Sequence, residues 1–212
     1  MEPFITNHQL NFITKQAKNI VRATHSVNDK DVLKAFEYSA LEKVLALFPN
    51  IDKNKVALFS EIVDLRSEIE LNQYLEKLSV YCIPFPQLTD GGIKKLFRKV
   101  KKLNYPSITK EDTKKLTYFS WNDAGADKKF IIKEVNGKLM GTYGRLVPLN
   151  KKGICHFCHQ HTEIGLYTVE VKAKGNMNYK ALGNYICIDG INCNQEITDV
   201  EKIDAFIMDT SK

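Results

Sequence analysis

The sequence predicts an α+β protein, an N-terminal helical bundle followed by a C-terminal α/β domain that ends in a small cysteine-rich finger. Three observations predict it. Over residues 1–83 apolar residues recur at intervals of three and four, and the segment contains no glycine and only two prolines. Beyond Tyr105-Pro106 the period shortens to alternation around turn-forming residues. Four of the five cysteines fall in two close pairs, Cys155/Cys158 and Cys187/Cys193.

The helical part builds as four amphipathic segments. Thr6 and Gln9 have capping-box spacing ahead of a stripe of Phe12, Ile13, Ala17, Ile20 and Val21. Residues 28–50 place Val32, Leu33, Phe36, Ala40, Leu41, Val44 and Leu45 on one face, and Pro49 closes the segment. Residues 54–65 offer Val56, Phe59, Ile62 and Val63. A second capping box, Ser67 and Glu70, opens a helix that carries Leu71, Tyr74, Leu75, Leu78 and Cys82 on its apolar side. Short links between such segments predict a bundle. Pro84 and Pro86 favour extended backbone and mark the boundary, so the domains are 1–83 and 84–212.

A fifth helix is expected after Thr89 or Asp90, with Ile93, Leu96, Phe97, Val100 and Leu103 at helical spacing. Its other face is basic across Lys94–Lys102. Residues 84–151 hold 15 Lys and Arg against 6 Asp and Glu, so the net charge of +6 comes from this middle segment. That imbalance suits an acidic or RNA-rich partner, or else is a solvated helix face. Next come a strand in "LTYFSW" and a hairpin over "KFIIKEVNGKLMGTYG", whose Asn136-Gly137 is a type I′ turn signal. A second hairpin follows with Gly175-Asn176 in its turn, then a last helix burying Ile197, Val200, Ile203, Phe206 and Ile207.

The two cysteine pairs flank the second hairpin. A closed zinc site takes four soft ligands from two local pairs that folding brings together. Knuckle, hairpin, then ligand-bearing helix is the order of a treble-clef-like zinc finger, here residues 152–212, with Cys155, Cys158, Cys187 and Cys193 as ligands of a structural Zn2+. His159 and His161 are alternative donors for one position, whereas His156, between two thiols, would be cramped. No basic and apolar leader opens the chain, which predicts the cytoplasm, where thiols stay reduced and an odd cysteine count argues against pairing. No apolar run is long enough for a bilayer, so no membrane contact is expected. "HTE" at His161–Glu163 follows rather than precedes the C-x-x-C, unlike the deaminase order. Four thiolates leave no open position for water, and no phosphate loop or nucleophile motif is present. The chain is therefore not expected to be an enzyme or to have a small-molecule substrate.

Several longer stretches carry a resemblance: "VNDK" at Val27–Lys30, "KKLFRKVKK" at Lys94–Lys102, "SWN" at Ser120–Asn122, "KGICHFC" at Lys152–Cys158 and "GNYICIDGINCNQEITD" at Gly183–Asp199. Over essentially its whole length the chain resembles the FusB/FusC-type fusidic acid resistance proteins. The resemblance implies a helical N-terminal domain and a C-terminal domain with a four-cysteine zinc finger. It also implies a partner, elongation factor G, contacted on its C-terminal domains and released from the ribosome-associated complex where fusidic acid traps it, with the drug neither bound nor modified. For such an interface the candidate anchors are Tyr185, Phe206 and Ile154. Phe206 also has the spacing of a core residue. Ile154 stands where the resemblance implies an aromatic side chain. The competing expectation is a zinc-finger protein that binds RNA or the ribosome, with transient rRNA contact through the basic segment.

Overall fold

In a computed structural model that describes residues 2–172 and 179–211, the chain divides into two units, Met1–Ile83 and Pro84–Lys212. The first is helical: α1 (Asn7–Ser26), α2 (Lys30–Leu45), α3 (Lys53–Ser60), a short 3-10 turn, and α4 (Glu68–Ser79). Local chemistry sets the helix starts. The Thr6 N–H donates to Gln9 Oε1 at 2.9 Å, and Glu70 Oε2 accepts from the Arg66 and Ser67 N–H groups at 2.7 and 3.0 Å. Asp29 and Asp52 cap α2 and α3 through their carboxylates. The core gathers Ile13, Ile20, Val44, Phe59, Ile62 and Leu78. Backbone bonds from Phe4 and Ile5 to Tyr81, and from Ile83 back to Ile5, stitch the two ends of this unit together.

One face departs from its sequence pattern. Val32 and Phe36 of α2 are exposed, whereas Glu37, next to Phe36, is buried and ion-paired to Arg66 at 3.0 Å. The stripe is apolar from Ala40 onward and polar before it, because Arg66 supplies a partner for a carboxylate there.

The second unit begins with α5 (Asp90–Leu96) and α6 (Lys110–Thr113). A five-stranded antiparallel meander follows: β1 (Phe119–Asp123), β2 (Lys128–Val135), β3 (Lys138–Ile154), β4 (His161–Lys172) and β5 (Tyr179–Cys187), in the order β1-β2-β3-β4-β5. Two helices end it, α7 (Gly190–Glu196) and α8 (Glu201–Thr210). The β2–β3 turn has Asn136 and Gly137 at φ 51° and 73°, the left-handed pair a type I′ turn requires. Lys172 pairs with Tyr179, so β4 and β5 are a hairpin; its expected Gly175-Asn176 turn lies outside the described residues.

Each face of the sheet has its own apolar cluster. On one, Ile131, Phe157, Ile164 and Tyr167 pack with Ile203 and Ile207 of α8. Lys133 of β2, itself buried, pairs with Asp204 of α8 at 2.6 Å. On the other, the cross-strand row Trp121, Phe130 and Tyr143 stacks with ring centroids 4.8 and 5.4 Å apart. Phe97 meets all three rings edge-on. The expected long basic helix is corrected: α5 stops at Leu96, and Phe97 turns out of helical geometry at φ −119°, ψ 44°. A continued helix would stack Lys94 on Arg98, Lys95 on Lys99 and Arg98 on Lys102, all like charges four apart.

Candidate metal centre

β3 delivers the first cysteine pair. The strand shifts register between Pro148 and Lys152, and its end at Ile154 leads into a tight turn. There the Cys155 N–H donates to the Gln160 carbonyl at 3.0 Å and the His159 N–H to the Cys155 carbonyl at 2.9 Å. His159 takes φ 58° to close it. The Phe157 N–H, at 3.4 Å, and the Cys187 N–H, at 3.3 Å, both donate to Cys155 Sγ. Beneath the turn Phe157 is buried between Tyr118 and Phe206.

Cys187 ends β5, and Cys193 lies in α7. The last expected helix is thus two: α7, which bears the ligand, and α8, which packs on the sheet. Asp189 caps α7 by accepting from the Ile191 N–H at 2.8 Å. Asn194, buried, holds α7 down. Its Oδ1 accepts from the Thr117 and Tyr118 N–H groups at 2.7 and 3.1 Å, and its Nδ2 donates to the Tyr118 and Gly190 carbonyls, each at 2.9 Å. At Gly190 a Cβ would lie 2.1 Å from Ser120 Oγ, so any larger residue there would require the Ser120 hydroxyl to turn away.

The four sulfurs lie within 4.8 Å of one another and are all buried. Cys155 and Cys193 sulfurs are 3.9 Å apart, and those of Cys158 and Cys187 are 3.6 Å apart. A tetrahedron with metal–sulfur bonds of about 2.3 Å has edges of about 3.8 Å, so the set fits zinc. A disulfide would need sulfurs near 2 Å. Among the described residues this is the only convergent metal-donor set, and His156, His159 and His161 stay outside it. Crowding makes the thiols interdependent. Hydrogen bonds from Cys158, Cys187 and Cys193 pull Cys155 far below the ordinary thiol range, while the bonds they share with Cys155 push Cys187 and Cys193 far above it. A divalent cation is what lets four such sulfurs be thiolates together. Lys129 of β2 is also buried beside this loop. Burial pulls it down to about 8, against the opposing charges of Cys193, Asp189, Cys187 and Cys155.

The three anchor candidates divide. Tyr185 is 49% exposed and Ile154 58%. Phe206 is corrected: it is 6% exposed, and its ring packs on Phe157 and Tyr167, so it supports the knuckle from below and offers no outer surface. Tyr185 shares its face of the sheet with two other exposed apolar residues. Val147, Leu166 and Tyr185 lie directly across β3, β4 and β5 from one another, and all three are exposed. Leu166 alternates with the buried Gly165 and Tyr167 along β4, a period-2 signal that could have placed it outside. The Tyr185 carbonyl accepts from the His156 N–H at 2.8 Å, which ties this row to the cysteine knuckle.

Sheet, knuckle and short ligand-bearing helix together define a treble-clef zinc finger carried on an antiparallel sheet, in a chain whose first 83 residues are a separate helical unit. Residues 94–211 match the family described as FBP C-terminal treble-clef zinc-finger, and residues 4–86 match the one described as elongation factor G-binding protein, N-terminal. The chain belongs to the family with the FBP C-terminal treble-clef zinc-finger, which the match shows over more than half of its length. A solved structure described as the fusidic acid resistance protein FusC is similar to it at 26% identity and a TM-score of 0.82, over 98% of this chain and 97% of that one. No curated protein sequence matches the chain. Among the described residues no helix is long and apolar enough to cross a membrane.

Proposed function

We propose that this chain is a non-enzymatic target-protection protein of the cytoplasm, which binds elongation factor G and promotes its release from ribosomes when fusidic acid traps it there. The observation that carries the reading is the exposed apolar row Val147, Leu166 and Tyr185, tied by backbone to a four-sulfur site. The names attached to the matching family and to the FusC structure supply the partner. The zinc is structural, because four sulfurs fill its coordination sphere and leave no place for a reacting water. It fixes knuckle, strand ends and α7 as one stiff surface, which lowers the ordering cost of binding. The C-terminal domains of the factor are the surface contacted. Release follows if the chain binds a form of the factor that the ribosome does not hold; equal affinity for both forms would shift nothing.

Sedimentation of drug-locked factor on ribosomes, with and without this chain, tests the reading. The wild-type chain moves the factor to the supernatant. Tyr185→Ala and Leu166→Ala each weaken factor binding by about tenfold or more, the scale of an interface hot spot. Factor that stays pelleted at saturating chain overturns the proposal.

A second reading, RNA binding, is favoured by one observation. Nine Lys and Arg between Lys94 and Lys115 are all exposed, and none takes part in an ion pair among the described residues. Capture at two salt concentrations separates the readings, since phosphate contacts weaken steeply with salt and apolar anchors do not.

A further inference from the structure

Asn122 and Lys129 face each other across β1 and β2 and meet the loop between the last two cysteines. Lys129 is 1% exposed. Its Nζ donates to Asn122 Oδ1 at 3.1 Å and to the Ile188 carbonyl at 3.0 Å. Asn122 Nδ2 donates to that same carbonyl at 3.1 Å. Ile188 directly follows the ligand Cys187 and precedes Asp189, the cap of the helix that carries Cys193. The ammonium lies 3.9 Å from where a Cβ on Gly190 would sit. Among the described residues no carboxylate pairs with it. A buried cation whose only hydrogen-bond acceptors are neutral costs several kcal/mol unless negative charge lies close by. The nearby negative groups are Cys193, Asp189, Cys187 and Cys155, and the Asp189 carboxylate is committed to its own helix N-terminus.

We propose that Lys129 is the buried counter-charge of the four-sulfur centre, a positioning residue that retains the metal by offsetting thiolate charge and by locking the Ile188 carbonyl. Four thiolates around a divalent ion leave two net negative charges, and Lys129 removes one of them without occupying a coordination position. Less residual charge makes the sulfurs poorer nucleophiles and weaker bases, so protons and chelators displace them less readily. Asn122 aims the ammonium, which gives the Ser120–Asn122 stretch a role in the metal site that lies far from the cysteines in sequence. The proposal stands whether or not the chain binds elongation factor G, because its test reads the metal alone.

The test is the rate of zinc loss from the purified full chain into excess chelator, followed with a chromophoric zinc indicator, together with the rate of cysteine alkylation. Lys129→Met keeps the stem and removes the charge; it is expected to release zinc roughly tenfold faster or more and to alkylate faster, the usual scale for groups that support metal ligands. Lys129→Arg, which keeps the charge, should stay within about threefold of wild type, a rescue that a purely packing role would not give. If Lys129→Met does not fold, Asn122→Asp serves: it is nearly isosteric, hands the ammonium a carboxylate, and should likewise speed zinc loss. Wild-type release rates in Lys129→Met, or in Asn122→Asp if that is the variant measured, overturn the proposal.

Discussion

Tyr185 and Phe206 are both aromatic and both close to the cysteine knuckle, yet they do opposite work. Phe206 fills space under the turn, edge-on to Phe157 and tilted against Tyr167. Tyr185 stands outside, in a row with Leu166 and Val147. Removing a buried aromatic leaves a cavity, so Phe206→Ala should cost about 3–5 kcal/mol. Removing a half-exposed one on a sheet face loses only part of its contact area, so Tyr185→Ala should cost about 1 kcal/mol or less. Denaturant unfolding of the two variants checks both values. Along β5, Tyr185 is exposed between the half-buried Asn184 and the buried Ile186, an alternation that places its ring outside. Phe206 was ambiguous because helical spacing tells which residues share a face, and not whether another element covers that face.

At the scale of elements, the best-defined starts are those fixed by a few local atoms. The Glu70 carboxyl is held below its ordinary value of 4.5, first by the Arg66 N–H and then by Ser67. A depressed folded value means that the carboxylate stabilises α4 at neutral pH. That contribution is present above pH 4.5 and is lost as pH falls through the lowered value. Wild type should therefore exceed Glu70→Gln in thermal midpoint at pH 7, and the two should converge below the glutamate range; a gap that persists in acid contradicts the assignment. Such signals explain what was legible. Capping boxes at Thr6 and Ser67, the Asn136-Gly137 turn and the paired cysteines each state their chemistry within a few residues. What stayed hidden depended on partners distant in sequence. Glu37 sinks into an apolar stripe because Arg66 waits there. The basic helix stops at Leu96 because like charges repel and Phe97 finds three rings on the sheet. Asn194 and Lys129 read as ordinary surface residues until the loops they bind are brought to them.

The whole chain combines a helical unit with a complete apolar core of its own and a second unit whose main core contains all four clustered cysteines. That partition makes metal loss a selective event. Without the cation, four buried sulfurs lose what holds them together, and the knuckle, the end of β5 and α7 lose their common anchor. The opposite face of the same sheet carries the only tryptophan, Trp121, stacked on Phe130 and 6% exposed. Its emission therefore reports on the second unit alone, whereas most of the helical circular dichroism comes from α1 to α4. Chelation of the metal, or Cys155→Ser, should shift Trp121 emission to the red as the sheet opens to water. Most of the helical signal should persist and then melt in a separate, metal-independent transition. Cys82→Ser should leave the metal in place, because Cys82 belongs to the other unit and its sulfur hydrogen-bonds to the Leu78 carbonyl at 3.9 Å. A chain that keeps Trp121 buried after complete zinc removal would show that the apolar clusters on the two faces of the sheet hold it without the ion, and the metal would then shape only the knuckle.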